Sequence, residues 1–334
     1  MGIKSLFGFL REKAPKSIEE KPLYLKHYVG RAVAVDASMH LYQFLAAVRT
    51  GEGMQNLANA NGEATSHIQG FANRTLKMLE MGVKPIFVFD GASPRAKEKT
   101  LRVRSKRKRE AEEAYATLPE NASREEVYKA ASATTRVSRR HNDDVKVLLR
   151  YMGVSVVDAP GEAEATCARL AKAGLVYAAV TEDMDALTFG APVVIKNLFD
   201  VEGARTRSSR PAYEINLDRI IKDLKGQEKL KTMDMAKFVD FCILCGCDYL
   251  EHLAGVGPAT AFKLLDRRGD LESAVVKVEP ELPPKDEESF PREEDEDEDD
   301  LAAAKDDDDD EATPVTSQQK KTKKKKAPRR KAIK

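Results

Sequence analysis

The chain has 334 residues, 42% of them hydrophobic and 33% charged, which is enough apolar material for one large core. No apolar run reaches the roughly 18 residues that a membrane helix needs, so a soluble protein with no membrane role is expected. The net charge of +1 hides a strong segregation: residues 279–311 hold 19 acids and three bases, residues 320–334 hold ten bases and no acid, and the remainder keeps 43 bases against 36 acids. A basic body favours an anionic partner.

Residues 1–30 open with Gly2-Ile3-Lys4-Ser5-Leu6-Phe7 and a short amphipathic run that ends at Gly30. Arg31-Ala32-Val33-Ala34-Val35-Asp36 then reads as a buried strand ending in an aspartate. Ser38 is placed to cap a helix that carries Met39, Tyr42, Gln43, Leu45, Ala46 and Arg49. Gly51 to Gly62 reads as a mobile loop, and a second helix over Thr65 to Met81 stops at Gly82. Lys84 to Asp90 repeats the pattern of an apolar strand closed by an aspartate, with Gly91 behind it for a tight exit.

The composition then changes. Nine bases fall between Arg95 and Arg109, against the single acid Glu98. Lys97, Arg104 and Lys108 stand at i, i+7 and i+11, one face of a helix, so a directed cationic stripe is available for phosphate. Residues 111–141 continue as charged, Ala-rich helices broken near Pro119 and Asn121, an excursion from the core.

The α/β pattern resumes with a helix over Val145 to Gly153 and a strand over Val154 to Asp158. Pro160-Gly161-Glu162-Ala163-Glu164-Ala165 opens a helix whose Ala163, Cys167, Leu170 and Ala171 form a close-packing face. Acids in a first turn also suit the helix dipole, so Glu162 and Glu164 have a purely structural reading beside the chemical one. Val176 to Val180 is an apolar strand that runs straight into Thr181-Glu182-Asp183-Met184-Asp185. If the extended conformation persists, Asp183 and Asp185 project on the same side. A strand at Pro192 to Lys196 and an edge strand near Tyr213 to Ile215 complete a doubly wound, mostly parallel sheet.

Ligand sites in such sheets lie beyond the carboxyl ends of the strands, so Asp36, Asp90, Glu162, Glu164, Asp183 and Asp185 gather at one edge. Two carboxylates about 4 Å apart repel by about 4 kcal/mol at an effective dielectric of 20, and six together require compensation. An all-oxygen set without paired histidines points to Mg2+ or Mn2+. Further on, Gly255-Val256-Gly257-Pro258 lies between two helical runs and offers backbone amides at a helix N-terminus, a sequence-independent phosphate seat. Cys242, Cys245 and Cys247 sit in the apolar FVDFCILCG stretch without a fourth ligand at zinc spacing, and together with Cys167 they read as buried thiols of a reducing compartment.

MGIKSLFGFL, AVAVDASM, FVFDG, DAPGEAEA, TEDMDALTFG and GCDY with GVGP occur in the order and spacing of the flap endonuclease family, over roughly residues 1–275. The chain resembles these structure-specific 5′ nucleases of replication and repair. The resemblance implies a PIN-like core formed by residues 1–107 and 142–275. It also implies a helical arch over 91–141 and a helical two-turn DNA-binding motif at 238–265 that holds a potassium ion (K+). It assigns Asp36, Asp90, Glu162, Glu164, Asp183, Asp185 and Asp248 to two metal ions, and Lys97 and Arg104 to the scissile phosphate. Tyr42 is implied to stack on a base, and Arg49 to contact DNA. Gly2 is implied to lie near the site as the N-terminus after methionine removal. Glu162, Asp248, Gly255, Gly257 and Lys263 are implied to lie on the DNA side, with Ala259 and Thr260 standing where the family commonly has a basic residue.

The expected activity is two-metal hydrolysis of 5′ flaps with 5′–3′ exonuclease action, in Okazaki fragment maturation and base-excision repair, by a nuclear monomer. Nucleolus and mitochondrion are further compartments. The alternatives are a related 5′ nuclease of nicks, gaps or junctions, and a noncatalytic DNA-binding module. The family implies the sliding clamp (PCNA) as a partner, but no Gln-x-x-Leu-x-x-Phe-Phe motif is present. Residues 278–334 are expected to be a disordered tail, acidic and then basic, whose terminal run resembles a nuclear-import signal.

Overall fold

The structure, a computed structural model, describes residues 2–3, 5–21, 26–47, 49–50, 55–59, 64–119, 121–198, 212–225, 233–250, 253 and 255–278. In chain order these form α1 (Leu6–Lys13), β1 (Ile18–Lys21), β2 (Ala32–Asp36), α2 (Ala37–Ala47), β3 (Arg49–Thr50), β4 (Gln55–Asn56), α3 (Ser66–Glu80) and β5 (Lys84–Phe89). Then come α4 (Glu98–Ala116), α5 (Arg124–Ala133), α6 (Arg139–Tyr151), β6 (Ser155–Asp158), α7 (Ala163–Lys172), β7 (Ala178–Val180), α8 (Asp185–Thr188) and β8 (Val193–Lys196). Last are β9 (Ala212–Asn216), α9 (Leu217–Lys225), α10 (Met235–Cys245), α11 (Pro258–Arg268) and α12 (Leu271–Val278). The tail after residue 278 lies outside the described residues, and so does its expected disorder.

The main sheet has the order β1-β9-β8-β7-β2-β5-β6, with β8 through β6 parallel and β9 and β1 antiparallel at one side. The chain moves outward from β2 to β5 and β6, then crosses back to β7 on the other flank of β2. That reversal is the switch point of an open α/β sheet, where the carboxyl ends of neighbouring strands splay apart and leave a crevice.

Alternation along each strand decides which helices pack where. Val33, Val35, Phe87, Phe89, Ala178 and Val180 face α2, α3 and α6 through Leu41, Phe44, Phe71, Met78, Val145 and Leu149. On the other face Ala34, Val88, Ala179 and Val194 meet α1, α7, α9, α10 and α11. Here the strand residues are small and so is the opposing stripe of α7, with Ala163, Cys167, Ala168 and Ala171 all buried, so α7 approaches the sheet closely. Phe9 of α1, Phe241 of α10 and Phe262 of α11 form a ring cluster with centroids 5.2 to 5.9 Å apart, which ties the α10–α11 pair to the core.

Four expectations are corrected. Tyr213 to Ile215 belongs to β9, an inner strand, because Ile18–Lys21 pairs with it antiparallel and takes the edge; the charged IEEK stretch hid that strand. The Gly51 to Gly62 loop contains Gln55–Asn56, paired with Arg49–Thr50. Arg49 therefore stands in β3 and not on α2, which ends at Ala47. Ser38 does not cap α2; the Asp36 carboxylate accepts the Met39 N–H at 3.2 Å, and Ser38 Oγ accepts the Asp90 N–H at 3.2 Å.

The arch leaves the sheet after Asp90. None of the side chains of α4 is buried, so hydrophobic burial does not fix its position. Its far end is held by Arg136, which makes two 2.8 Å bonds to Glu112. α5 starts with a Ser123/Glu126 capping box and returns to the body through buried Ala131 and a 3.1 Å bond from Ser132 Oγ to the Ala46 carbonyl.

The exit from β5 depends on Gly91 for room and not for conformation. Its N–H donates to the Gly161 carbonyl at 2.7 Å, and a Cβ there would lie 2.1 Å from the Ala159 carbonyl oxygen. Gly91→Ala is expected to push the β5 and β6 exits apart and cost about 1–3 kcal/mol, read as a lowered thermal midpoint. A midpoint unchanged from wild type would show that the two loops yield freely.

Candidate active site

Each acidic residue reaches the crevice by a local device. Asp36 ends β2, is 3% exposed, and is fixed by the Met39 amide and by Thr181 Oγ1 at 3.5 Å. Asp90 follows β5, and its Oδ1 accepts the Ala163 N–H at 2.7 Å, so it ties the start of α7 to the adjoining strand. Glu162 occupies the N-cap position of α7 in extended conformation, and Glu164 lies in the first turn. Asp183 and Asp185, each 4% exposed, follow β7.

The last pair converges by a different route from the one expected. The extended backbone stops at Val180, and the chain turns into α8 at Asp185. Asp183 N–H donates to Thr181 Oγ1 at 3.1 Å, and Asp183 Oδ1 then accepts the Asp185 N–H at 3.2 Å. A side-chain turn at a helix start brings the two carboxylates together, not the period of a strand. Oxygens of Glu164, Asp183 and Asp185 lie within 4.8 Å of one another.

The N-terminal segment closes one side of this group. Ile3 N–H donates to Asp185 Oδ1 at 3.1 Å across 182 residues of chain. Gly2 has φ +70°, and a Cβ there would fall 1.7 Å from Asp183 Oδ1, so the backbone approaches the carboxylate more closely than any side-chain-bearing residue allows.

The charge state follows from this packing. Burial and then Asp90 raise Asp36 to about 7. Glu164 is pushed well up by burial and by Asp183, Asp36 and Asp185. Asp185 is raised by burial and by Asp183. Among the described residues none of Asp36, Asp90, Glu164, Asp183 and Asp185 makes an ion pair. A buried all-oxygen set with mutually raised carboxylates fits a hard divalent cation, whose charge would offset the repulsion.

Glu162 and Asp248 are treated differently. Lys97, in a short 3-10 turn before α4, pairs with Glu162 and lies 3.7 Å from Asp248, while Arg104 binds Asp248 Oδ2 at 2.5 Å. Tyr249 donates its hydroxyl to Glu162, and the Lys97 ammonium sits 4.9 Å from the Tyr249 ring centroid. Burial opposes the Lys97 charge, but Glu162, Glu164 and Asp248 outweigh it and raise its pKa. Two cations from the arch thus meet two acids at the border of the cluster.

This geometry has counterparts. The chain matches the family models for the XPG N-terminal domain over residues 1–111 and the XPG I-region over residues 153–248. Flap endonuclease 1 of Aspergillus clavatus is 47% identical over 279 residues, which covers 84% of this chain and 67% of that one. The chain belongs to the flap endonuclease family. Among solved structures, flap endonuclease-1 from Methanococcus jannaschii has a TM-score of 0.58 at 30% identity, covering 83% of this chain and 80% of that one. The catalytic core of Rad2 in complex with DNA substrate has a TM-score of 0.59 at 27% identity, covering 82% and 71%.

In this family member the remaining residues singled out by the sequence differ in element and exposure. Tyr42 is 39% exposed on α2, so its ring is accessible to a stacking partner. Arg49 starts β3, and its side chain lies outside the described residues. Gly255 has φ +74°, Gly257 is the N-cap of α11 with no side-chain cap bond, Pro258 stands at the first helical position, and Lys263 is exposed on α11. Lys108 continues the half-buried face of Lys97 and Arg104 one turn on and lies near Arg136 and Glu112. Cys242 and Cys245 are buried thiols whose pKa is pushed up by burial, to about 12 for Cys245.

Sequence reasoning missed Ile3, Thr181, Tyr249 and Thr100, whose hydroxyl donates to the Asp248 carbonyl at 2.7 Å. Tyr249 had a signal, its adjacency to Asp248 in the quoted GCDY motif. Ile3 acts through its backbone amide, and Thr181 and Thr100 through hydroxyls at positions that no periodicity singles out.

The raised acids set a pH dependence. A folded-state pKa above the unfolded value means that the folded protein holds protons the unfolded chain releases, so the associated stability is full below about pH 4 and is lost as pH rises through about 7. Metal-free protein is therefore expected to lose thermal stability between about pH 4 and about pH 7. A divalent cation at about 100 times its Kd should add about 2.7 kcal/mol at the upper end of that range. A metal-free melting temperature that rises over this interval would contradict the proton assignment.

Proposed function

We propose that this chain is a divalent-metal-dependent, structure-specific DNA endonuclease with 5′–3′ exonuclease activity that cleaves 5′ flaps, acting in Okazaki fragment maturation and base-excision repair. The observation that carries the reading is the convergence of the buried acids at the switch point with Lys97 and Arg104, already in contact with two acids of the same edge.

Asp36, Asp90, Glu164, Asp183 and Asp185, with Glu162 and Asp248 at the border, would hold two Mg2+ ions, with Mn2+ as a substitute. Bound in this way, the ions supply an activated water and neutralise charge on the phosphate and leaving oxygen. The protein supplies the rest. Burial at the strand ends keeps the carboxylates preorganised, and the backbone amides of Met39, Ala163, Asp185 and Ile3 fix their orientation. Lys97 and Arg104 exchange their carboxylate partners for the scissile phosphate, where their charge stabilises the transition state. Exposed Tyr42 stacks on the unpaired nucleotide. The α11 N-terminus seats a duplex phosphate on backbone amides, with K+ at Gly255–Gly257 and Lys263 as the nearby cation.

The Lys320–Lys334 run supports a nuclear location. A monomeric enzyme working with the sliding clamp is the arrangement the family suggests.

Asp183→Ala is expected to remove Mg2+-dependent cleavage of a labelled 5′ flap while flap binding is largely retained, because the basic contacts remain. Nicked, junction and single-stranded DNAs assayed in parallel should be poorer substrates. Wild-type turnover by the variant would remove the acids from the chemistry, and preference for junctions would reassign the enzyme to another 5′ nuclease activity. Arg104→Ala is expected to slow single-turnover cleavage by roughly 10² to 10³ with a smaller change in affinity. An equal loss in binding with unchanged chemistry would reduce Arg104 to a phosphate anchor.

A further inference from the structure

The turn before α4 and the first turns of α4 present one half-buried face, which Lys97, Thr100 and Arg104 occupy at i, i+3 and i+7. All three reach the same residue. Lys97 and Arg104 address the Asp248 carboxylate at 3.7 and 2.5 Å, whereas Thr100 Oγ1 donates to the Asp248 backbone carbonyl at 2.7 Å, the ordinary length of a good O–H···O bond.

The difference in target atom matters. On the proposed reading, divalent metal would claim the Asp248 carboxylate and phosphate would claim the two cations. Both ion pairs are therefore exchangeable. The carbonyl is claimed by neither ligand, so the Thr100 bond can persist when its neighbours have been redirected. Since α4 buries no side chain, the polar seam at its base is what registers the arch against the turn after α10.

We propose that Thr100 is a positioning residue: its hydroxyl latches the base of the arch to the Asp248 turn, so that Lys97 and Arg104 stay in register with the metal edge when their own contacts to that edge are released. This rests on the nuclease reading for its consequence, but the latch itself is a property of the free protein.

The test compares wild type, Thr100→Val, which keeps the β-branch and removes the donor, and Thr100→Ser, which keeps the donor. In metal-free protein without DNA, Thr100→Val should speed amide hydrogen exchange by about 3–10-fold in the first two turns of α4 and over residues 246–250, with β2 and β5 unchanged, the size expected for one ordinary hydrogen bond. Thr100→Ser should exchange like wild type. With saturating Mg2+ and flap DNA, Thr100→Val should slow single-turnover cleavage by about 3–10-fold while the Kd for the flap stays within about twofold, and serine should restore the rate. Equal exchange in valine and wild type overturns the latch, and so does a serine variant that behaves like valine. If wild type itself fails to cleave, the nuclease reading falls while the exchange comparison still decides the latch.

Discussion

Mutual repulsion among buried carboxylates is the constraint to which the rest of this structure answers. Asp36, Asp183 and Asp185 are almost fully buried, and burial pushes the pKa values of Asp36 and Asp185 up. The fold carries the cost of that burial at the centre of its main sheet. The strands that end at the acids are the central β2 and its neighbours, and the residues on the α7 face, Ala34 and Ala179, are small enough for that helix to lie close. A tightly packed platform lets backbone amides be aimed at carboxylate oxygens, and each such amide favours the charged form. Ala163, Asp185 and Ile3 all serve in this way.

The acids divide by how their charge is met. Those at the centre lack a cation among the described residues and depend on what enters the crevice. Glu162 and Asp248, at the border, are met by Lys97 and Arg104 from an arch that has no core of its own. On the proposed reading a divalent ion would relieve the first group, and an incoming phosphate would compete for the cations that relieve the second. The two demands meet at the same edge, so on that reading metal and DNA would be accommodated together and not at separate stations.

Much of this could be read from the chain because it lies in patterns that physics makes periodic. Apolar runs closed by Asp36 and Asp90 announced buried strands and the chemistry at their ends, and the alternation with helices announced a doubly wound sheet. What could not be read lacks a residue-type signature. IEEK gives no sign of a strand, since an edge strand tolerates charge on both faces once its neighbour supplies the pairing. Ser38 looked like a cap, but Asp36 two residues earlier already serves the helix amide, which frees Ser38 for Asp90. Asp183 and Asp185 were placed together for the wrong reason, because a threonine-initiated turn replaces the strand at Val180. Asp248 follows no periodicity at all; it lies in a turn, and only its partners on α4 show why it belongs to the site.

Those partners also explain how an element without buried side chains can be precise. The sheet fixes the acids through depth, since displacing them would disturb β2, β5 and β7 together. The arch cannot use depth, so its register comes from a short seam of polar contacts with different fates. Contacts between charged side chains are strong and exchangeable, and DNA must be able to break them. A hydroxyl on a backbone carbonyl is weaker but is wanted by neither metal nor phosphate. Placing both kinds one turn apart on the same helix face lets the arch change partners without losing its place, which is what an element that must first shield and then engage a phosphate requires.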